Sequence, residues 1–365
     1  MTKIKDIIQY LESVAPAAYQ ESYDNATLIT GNSSTPVTNL LITLDVTEEV
    51  VQEAIDKNCN LIVAHHPIVF KGLKSLTGKN YVERTVIKAI RHDIAIYAIH
   101  TNLDNVFNGV NKKICDKIGL KNTRVLAPKK QILSKLVTFV PKNDTQKVLE
   151  ALHRAGAGHV GNYTHCSFRV EGTGTFKPNE EANPHIGRAN LQEEVTEDRV
   201  EMILPSHLEG TVLSALKLAH PYEEVAYFIT SLTNSHQEVG SGMIGELTEE
   251  MEPFDFLKHL KNSMDLACIR HTKTLTGSIR KVAVCGGSGS FLLPGAISKG
   301  ADVFITADFK YHEFFDAENK IVIADIGHYE SEVFTKELIN EILSKKFTTF
   351  ALNLSETVTN PISYL

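Results

Sequence analysis

The stretches NLLITLDV (39–46), CNLIVAHHP (59–67) and IAIYAIHTNLD (94–104) decide the fold of this chain. In each, apolar residues follow one another without alternation, LIVA and IAIYAI above all, as expected of strands buried on both faces. Between and after them lie VTEEVVQEAIDKN (46–58), YVERTVIKAIRHD (81–93) and VNKKICDKIGL (110–120), whose apolar positions recur at helical spacing. Strand and helix in alternation predict a mostly parallel sheet between helical layers.

The last third repeats this rhythm with IRKVAVCGG (279–287), LLPGAISKG (292–300), ADVFITAD (301–308), KYHEFFDAENK (310–320), IVIADIGHY (321–329), SEVFTKELINEILSKK (331–346) and FTTFALNL (347–354). From about residue 125 to 246 the texture changes: Gly and Asn become frequent, and Phe176 to Asn190 reads as a loop. Within that segment KLVTFVP, DTQKVLEALHRAG, YTHCSFRVEGTGTF, DRVEMILP, LEGTVLSALKLAH and VAYFITSL read as strand, helix, strand, strand, helix, strand, the order of a ferredoxin-like plait. The expected fold class is therefore α/β, with two similar halves, 1–124 and 247–365, forming one core and a ferredoxin-like α+β insert at 125–246. Small sheets of this kind often pair at their edges, so a homo-oligomer is expected.

Bulk properties narrow the function. A chain of 365 residues is long enough for two or more domains. No apolar run approaches the roughly 18 to 20 residues that span a bilayer, and the first residues, MTKIKDIIQYLESVAP, read as an amphipathic helix and a cytoplasmic N-terminus rather than a secretory signal. Five scattered cysteines without a C-x-x-C pair fit neither a disulfide framework nor a thiolate zinc site. The net charge of −7 argues against general attraction to nucleic acid. Lys71, Lys74 and Lys79 follow the His pair and read first as solvated surface lysines, second as contacts for an anionic substrate.

Chemistry concentrates where the apolar runs end. His65 and His66 precede Pro67, which cannot continue a central strand. Asp104 follows the next strand, and His328 ends IVIADIG with Glu332 four residues on, on the same side of a helix starting near Tyr329. Ligand sites of parallel sheets form beyond the carboxyl ends of the strands, which brings these residues to one edge. Strand-end capping could explain each position alone, but would have to recur three times. Five nitrogen and oxygen donors exceed the need of one open tetrahedral zinc, so two divalent ions sharing a bridging carboxylate, Glu332 or Asp104, is the simplest arrangement. Without thiolates the set suits zinc, iron, manganese, cobalt or nickel and does not choose among them; zinc is the first expectation. Such a pair activates water and polarises phosphoryl or carbonyl oxygens, predicting hydrolysis.

TADFKYHE (306–313) places Asp308 and His312 at the same edge; either could orient a ligand or move a proton, with His312 the first candidate for a catalytic residue. His100 reads as packed behind the ligands. The glycines of CGGSGS (285–290) lack the P-loop lysine and make a weak nucleotide fingerprint, although contact with an anionic substrate is a secondary expectation.

Taken in order, AHHP, HTNLD, TADFKYHE and GHYESE resemble the NGG1-interacting-factor-three-like family, also called GTP cyclohydrolase 1 type 2 homologues. YDNATLITGN (23–32) resembles the family's N-terminal segment, with Tyr23 and Ala26 where members usually carry Trp and Gly. The resemblance implies a dinuclear site on His65, His66, Asp104, His328 and Glu332. It also implies, through HPYEEVAYFI (220–229), an insert similar to PII and CutA-type plaits and assembly as a toroidal homohexamer. For activity it implies hydrolytic opening of the guanine imidazole at C8 with release of formate. The leading expectation is a metal-dependent hydrolase of a nucleotide or related small molecule. The alternative is a non-enzymatic metal-binding or regulatory protein whose insert senses a small molecule or partner, and a DNA-linked adaptor ranks third.

Overall fold

The computed structural model describes residues 1–273 and 277–365, and the chain folds as a mixed α/β protein. Met1–Ala127 and Glu238–Leu365 form one compact unit and Pro128–Gln237 another. The second lies inside the 125–246 segment marked by its sequence texture. On its far side, Met243–Glu246 belong to a strand paired with Lys281–Val284 of the first unit.

The first unit holds two sheets. In the five-stranded one, Leu352–Leu354, Leu40–Thr43, Leu61–Ala64 and Ala95–Ala98 run parallel, and Leu28–Thr30 pairs antiparallel at the far edge. Every residue of the three central strands is buried, as the unbroken apolar runs require. One face is covered by helices Glu48–Asp56 and Tyr81–Arg91: Val50, Val51, Ala54, Val86 and Ala89 pack with Leu41, Ile62 and Ile96. Thr47 and Asn80 start these helices, each side chain accepting a hydrogen bond from the backbone N–H three residues on.

The opposite face, Leu40, Ile42, Leu61, Val63 and Tyr97, shares one buried cluster with Val282, Val284, Val303, Ile305 and Ala324 of the second sheet. That sheet has six strands, with Ile279–Ser288, Val303–Ala307 and Val322–Asp325 parallel at its centre. Helices Ile4–Val14, Val110–Ile118 and Thr335–Ser344 contribute Ile7, Leu11, Ile114, Ile339 and Leu343 to the same cluster. The stretch 310–320, expected as a helix, is a 3-10 helix over Tyr311–Ala317. Glu318 and Asn319, with φ of +46° and +55°, turn the chain out of it. FTTFALNL shortens to the strand Leu352–Leu354, which joins the first sheet beside Leu40–Thr43 rather than the second.

In the second unit, the four-stranded antiparallel sheet runs in the order Phe168–Phe176, Glu193–Pro205, Leu133–Pro141, Tyr227–Leu232. Helices Thr145–Arg154 and Glu209–Ala219 bring Val148, Leu152, Val212 and Leu216 against Leu136, Val140, Val200 and Met202. The strand expected from Asp198 starts at Glu193, because the acidic run pairs residue by residue with 172–176. The loop from Phe176 to Asn190 contains no helix or strand after Phe176. Among the described residues, no helix is long and apolar enough to cross a membrane.

Candidate metal centre

Parallel register aligns the strand ends of the first sheet. Thr43 stands beside Ala64, and Ala64 beside Ala98, so the residues that follow emerge together. His65 N donates to Thr43 O at 3.2 Å, His66 N to Leu44 O at 2.9 Å and Ile99 N to Ala64 O at 2.9 Å. These bonds fix both imidazoles and the turn leading to the short helix Thr101–Asn105, which carries Asp104. From the second sheet, Gly327 with φ +88° turns the chain into the helix His328–Glu332, whose i, i+4 spacing faces both side chains the same way. Gly287, with φ +62°, leaves room for the glutamate, since a Cβ there would fall 2.5 Å from Glu332 Oε1.

All five residues singled out by their strand-end positions come together. Glu332, buried, is at the centre: its Oε2 lies 2.9 Å from His66 Nε2 and 3.1 Å from His328 Nε2, and its Oε1 lies 3.9 Å from His65 Nε2. Asp104 Oδ1 is 3.6 Å from His65 Nε2. His66, His328 and Glu332 form one group of ligand atoms within 4.8 Å of one another and His65, Asp104 and Glu332 a second, with Glu332 common to these two; His65, His66 and His100 form a third without it.

Each imidazole is gripped at Nδ1 and turned inward at Nε2. His65 Nδ1 faces Ile99 O at 2.9 Å, a carbonyl that can only accept, so the ring is the tautomer whose Nε2 carries a lone pair. His66 Nδ1 is held by Asp45 Oδ1 at 2.7 Å and His328 Nδ1 by Asp308 Oδ2 at 2.7 Å. Backing of this kind orients histidine ligands and raises their basicity. Two ligand atoms, His65 Nε2 and Asp104 Oδ1, are buried without a hydrogen-bond partner. Orphaned polar atoms are costly in an interior, and a cation bound between these two would satisfy both. Asp104 does not cap the helix that follows it, Val110–Ile118, whose N-cap is Gly109.

The electrostatics match a site that holds protons where it could hold metal. Burial holds the fully enclosed His65 neutral, its pKa pulled to about 3. Burial opposes charge on His66 and His328 too, but hydrogen bonds to Asp45 and Glu332 raise the first to about 10, and those to Asp308 and Glu332 raise the second to about 11. Burial, then the charge of Glu332, pushes Asp104 well above the usual carboxylate range. Glu332 is held well below it, because the bonds from His328 and His66 outweigh burial.

The cluster opens into a cavity of about 860 Å3 lined by Tyr23, Phe70, Lys71, His100, Cys285 and Phe291 among others. Tyr23 and Phe70 stack at its mouth with ring centroids 6.3 Å apart, and both are exposed. His100 is more than packing: its ring sits 5.2 Å from those of His65 and His66, and its Nδ1 bonds Asp24 Oδ1 at 2.8 Å. Burial of Asp24 is outweighed by bonds from His100 and Thr101, which hold its carboxyl at about 2. Of the flanking lysines only Lys71 lines the cavity; Lys79 pairs with Glu83 at 3.5 Å, and Lys74 stands exposed.

His312 is exposed, packs against the rings of Tyr311 and Phe315, and does not line this cavity; from TADFKYHE it is Asp308 that reaches the cluster. Asp308 does so from a left-handed backbone, φ +60°. The glycine turn is also differently used than a phosphate cradle would be. Gly286 N–H is taken by Asn111 Oδ1 at 3.0 Å and Gly287 N–H by Ser331 Oγ at 2.9 Å, leaving neither free for an anion. Asp45 and Asp24 carry no mark of their own in the sequence beyond, for Asp45, its place at the end of an apolar run.

Known proteins share this arrangement of sequence and fold. The family model described as Duf34/NIF3 (NGG1p interacting factor 3) matches residues 2–361. A Halalkalibacterium halodurans protein named GTP cyclohydrolase 1 type 2 homolog is 41% identical, over 98% of this chain and 98% of its own. A Bacillus subtilis protein of the same name is 40% identical over 99% and 98%. Among solved structures, a Bacillus cereus protein related to NIF3 aligns with a TM-score of 0.88 and 40% identity, covering 100% of this chain and 99% of that one. The Staphylococcus aureus protein SA1388 aligns at 0.79 with 29% identity, over 100% and 99%. The chain belongs to the Duf34/NIF3 family.

Proposed function

We propose that the chain is a metal-dependent hydrolase that holds two divalent ions on His65, His66, Asp104, His328 and Glu332 and acts on a nucleotide or related small molecule. The observation that carries this reading is the pair of buried, unpartnered ligand atoms, His65 Nε2 and Asp104 Oδ1, facing the glutamate common to both ligand groups. That sharing favours Glu332 over Asp104 as the bridge. A donor set of imidazole and carboxylate suits zinc first, then iron, manganese, cobalt or nickel. When bound, the ions would supply Lewis acidity, lowering the pKa of water and polarising a phosphoryl or carbonyl oxygen.

The chain's own residues supply the rest. Asp45, Asp308 and Ile99 O keep the three imidazoles aimed inward. Tyr23 and Phe70 offer faces to a flat ring, Lys71 offers a charge to an anionic group, and the cavity volume lies in the range of small-molecule sites. The relatives named GTP cyclohydrolase 1 type 2 homolog make GTP the first substrate to try. We further infer two α/β halves around one core, a ferredoxin-like insert at 125–246 whose compact part is Pro128–Gln237, a cytoplasmic location and assembly as a homohexamer.

The test is turnover of GTP, other nucleotides and simple phosphoesters by protein reconstituted with each metal. Activity that disappears in both His65→Ala and Glu332→Ala supports the reading; no turnover of any substrate, or turnover surviving both substitutions, refutes it.

A further inference from the structure

The strand Phe168–Phe176, FRVEGTGTF, places Gly172 and Gly174 on one face, since residues two apart on a strand point the same way. Between Val170 and Phe176 that face therefore carries no side chain. Glu197 stands opposite Gly172 in the antiparallel ladder. A Cβ at Gly174 would fall 2.1 Å from Glu197 Oε2, so the glycine admits the carboxylate; a Cβ at Gly172 would meet nothing within 4 Å. The space left over is a cavity of about 920 Å3, lined entirely by residues of the unit Pro128–Gln237.

Glu197 is only 8% exposed. Among the described residues its one hydrogen-bond donor is the Tyr222 hydroxyl, 2.9 Å from Oε1; Oε2 has none. Burial, then Glu197, pushes the Tyr222 phenol upward, so it remains a donor. The unpartnered Oε2 is the carboxylate's open side, and a cation entering the cavity would pair its charge there. Around it the Tyr222 ring meets Phe176 at 5.9 Å and His185 at 6.3 Å, and aromatic faces beside a carboxylate favour organic cations.

Charge points the same way. Five glutamates line the cavity against Lys177 and Arg199; Glu171 is paired with Lys142, and the Arg199 guanidinium is turned to Glu201 at 2.8 Å, which leaves four glutamates facing Lys177. An anion would meet repulsion there. A bare metal ion fits no better, because among the described residues the His, Cys, Asp and Glu groups close enough to share an ion all lie in the metal centre. We propose that this cavity binds a small organic cation, a protonated amine or guanidinium on an apolar body, with its charge at Glu197 and its body against Phe176 and Tyr222.

Calorimetric titration of the full-length chain with tyramine, agmatine and spermidine tests this. At least one should bind saturably at one site per chain, while 4-ethylphenol, the uncharged counterpart of tyramine, should not. Gly172→Leu fills the cavity and Glu197→Gln removes its charge, and each should weaken binding by about tenfold or more. Should Glu197→Gln fail to fold, Gly172→Leu still decides, because its side chain enters open space; an unchanged circular-dichroism spectrum and denaturant-unfolding curve would report its intact fold. The proposal is overturned if none of the three cations binds, if binding survives either folded variant, or if pyrophosphate is taken up at this site instead.

Discussion

Two buried glutamates, one in each unit, face cavities of about 860 and 920 Å3, and they keep different company. Glu332 stands among three imidazoles and beside Asp104, with two neighbouring ligand atoms left unpartnered. Glu197 stands among aromatic rings and receives one phenolic hydrogen bond. The carboxylate is the same; the surroundings decide what it can hold. Imidazole lone pairs backed by Asp45, Asp308 and Ile99 O offer directed donors to a metal ion, whereas ring faces offer a diffuse attraction to an organic cation.

The contrast is broken most severely by removing the central carboxylate. Glu332→Ala should leave the purified protein without either metal ion, because both ligand groups lose their common member, while Asp104→Ala should retain one; elemental analysis per chain distinguishes the two. The corresponding change in the other unit, Glu197→Gln, should leave metal content at the wild-type value.

A smaller effect is expected behind the ligands. Asp45→Asn and Asp308→Asn keep every metal-facing atom but loosen the grip on His66 and His328, and should weaken metal binding by about 10- to 100-fold in a chelator competition. Equal affinity in both variants would mean that the carboxylates are ordinary surface partners.

Protons sharpen the comparison further. In the metal-free chain His66 and His328 are raised to about 10 and about 11 from 6.5, so the stability they contribute is fully present below pH 6.5 and is lost as pH rises through those values. Metal must displace these protons from Nε2, so affinity should rise with pH. Calorimetry at pH 7 in buffers of differing ionisation enthalpy should register proton release; a buffer-independent heat would contradict the assignment. The smallest change is Tyr222→Phe, which removes a charge-assisted hydrogen bond and should cost about 1.5 to 3 kcal/mol in denaturant unfolding, with metal content untouched.

The candidate metal centre was largely legible because four of its five residues follow an apolar run, where a strand must stop and its next side chains face the sheet edge, and the fifth, Glu332, lies one helical turn after His328. His65 and His66 before Pro67, Asp104 after IAIYAI and His328 after IVIADIG all follow that rule. What backs them was not legible in the same way. Asp45 meets His66 only because register sets Thr43 beside Ala64, and Asp24 meets His100 across 76 residues of sequence, which no local periodicity encodes. In TADFKYHE the sequence put His312 ahead of Asp308, but the left-handed turn at Asp308 sends Asp308 inward to His328 and leaves His312 in solvent. The place of the last strand, Leu352–Leu354, beside Leu40–Ile42 was not legible for a related reason: its three residues carry no mark of which sheet they complete. The cavity beside Glu197 is visible only in three dimensions, since two glycines in a strand read as weakness in a ladder until the carboxylate filling their space is seen.

The central claim is tested most directly by X-ray absorption on zinc- or manganese-loaded protein, with its Glu332→Ala variant beside it. Two ions per chain, with imidazole and carboxylate donors and a metal–metal vector of about 3.5 to 4 Å that vanishes in the variant, is the predicted result. A single isolated ion per chain, or a spectrum unchanged by Glu332→Ala, would contradict it.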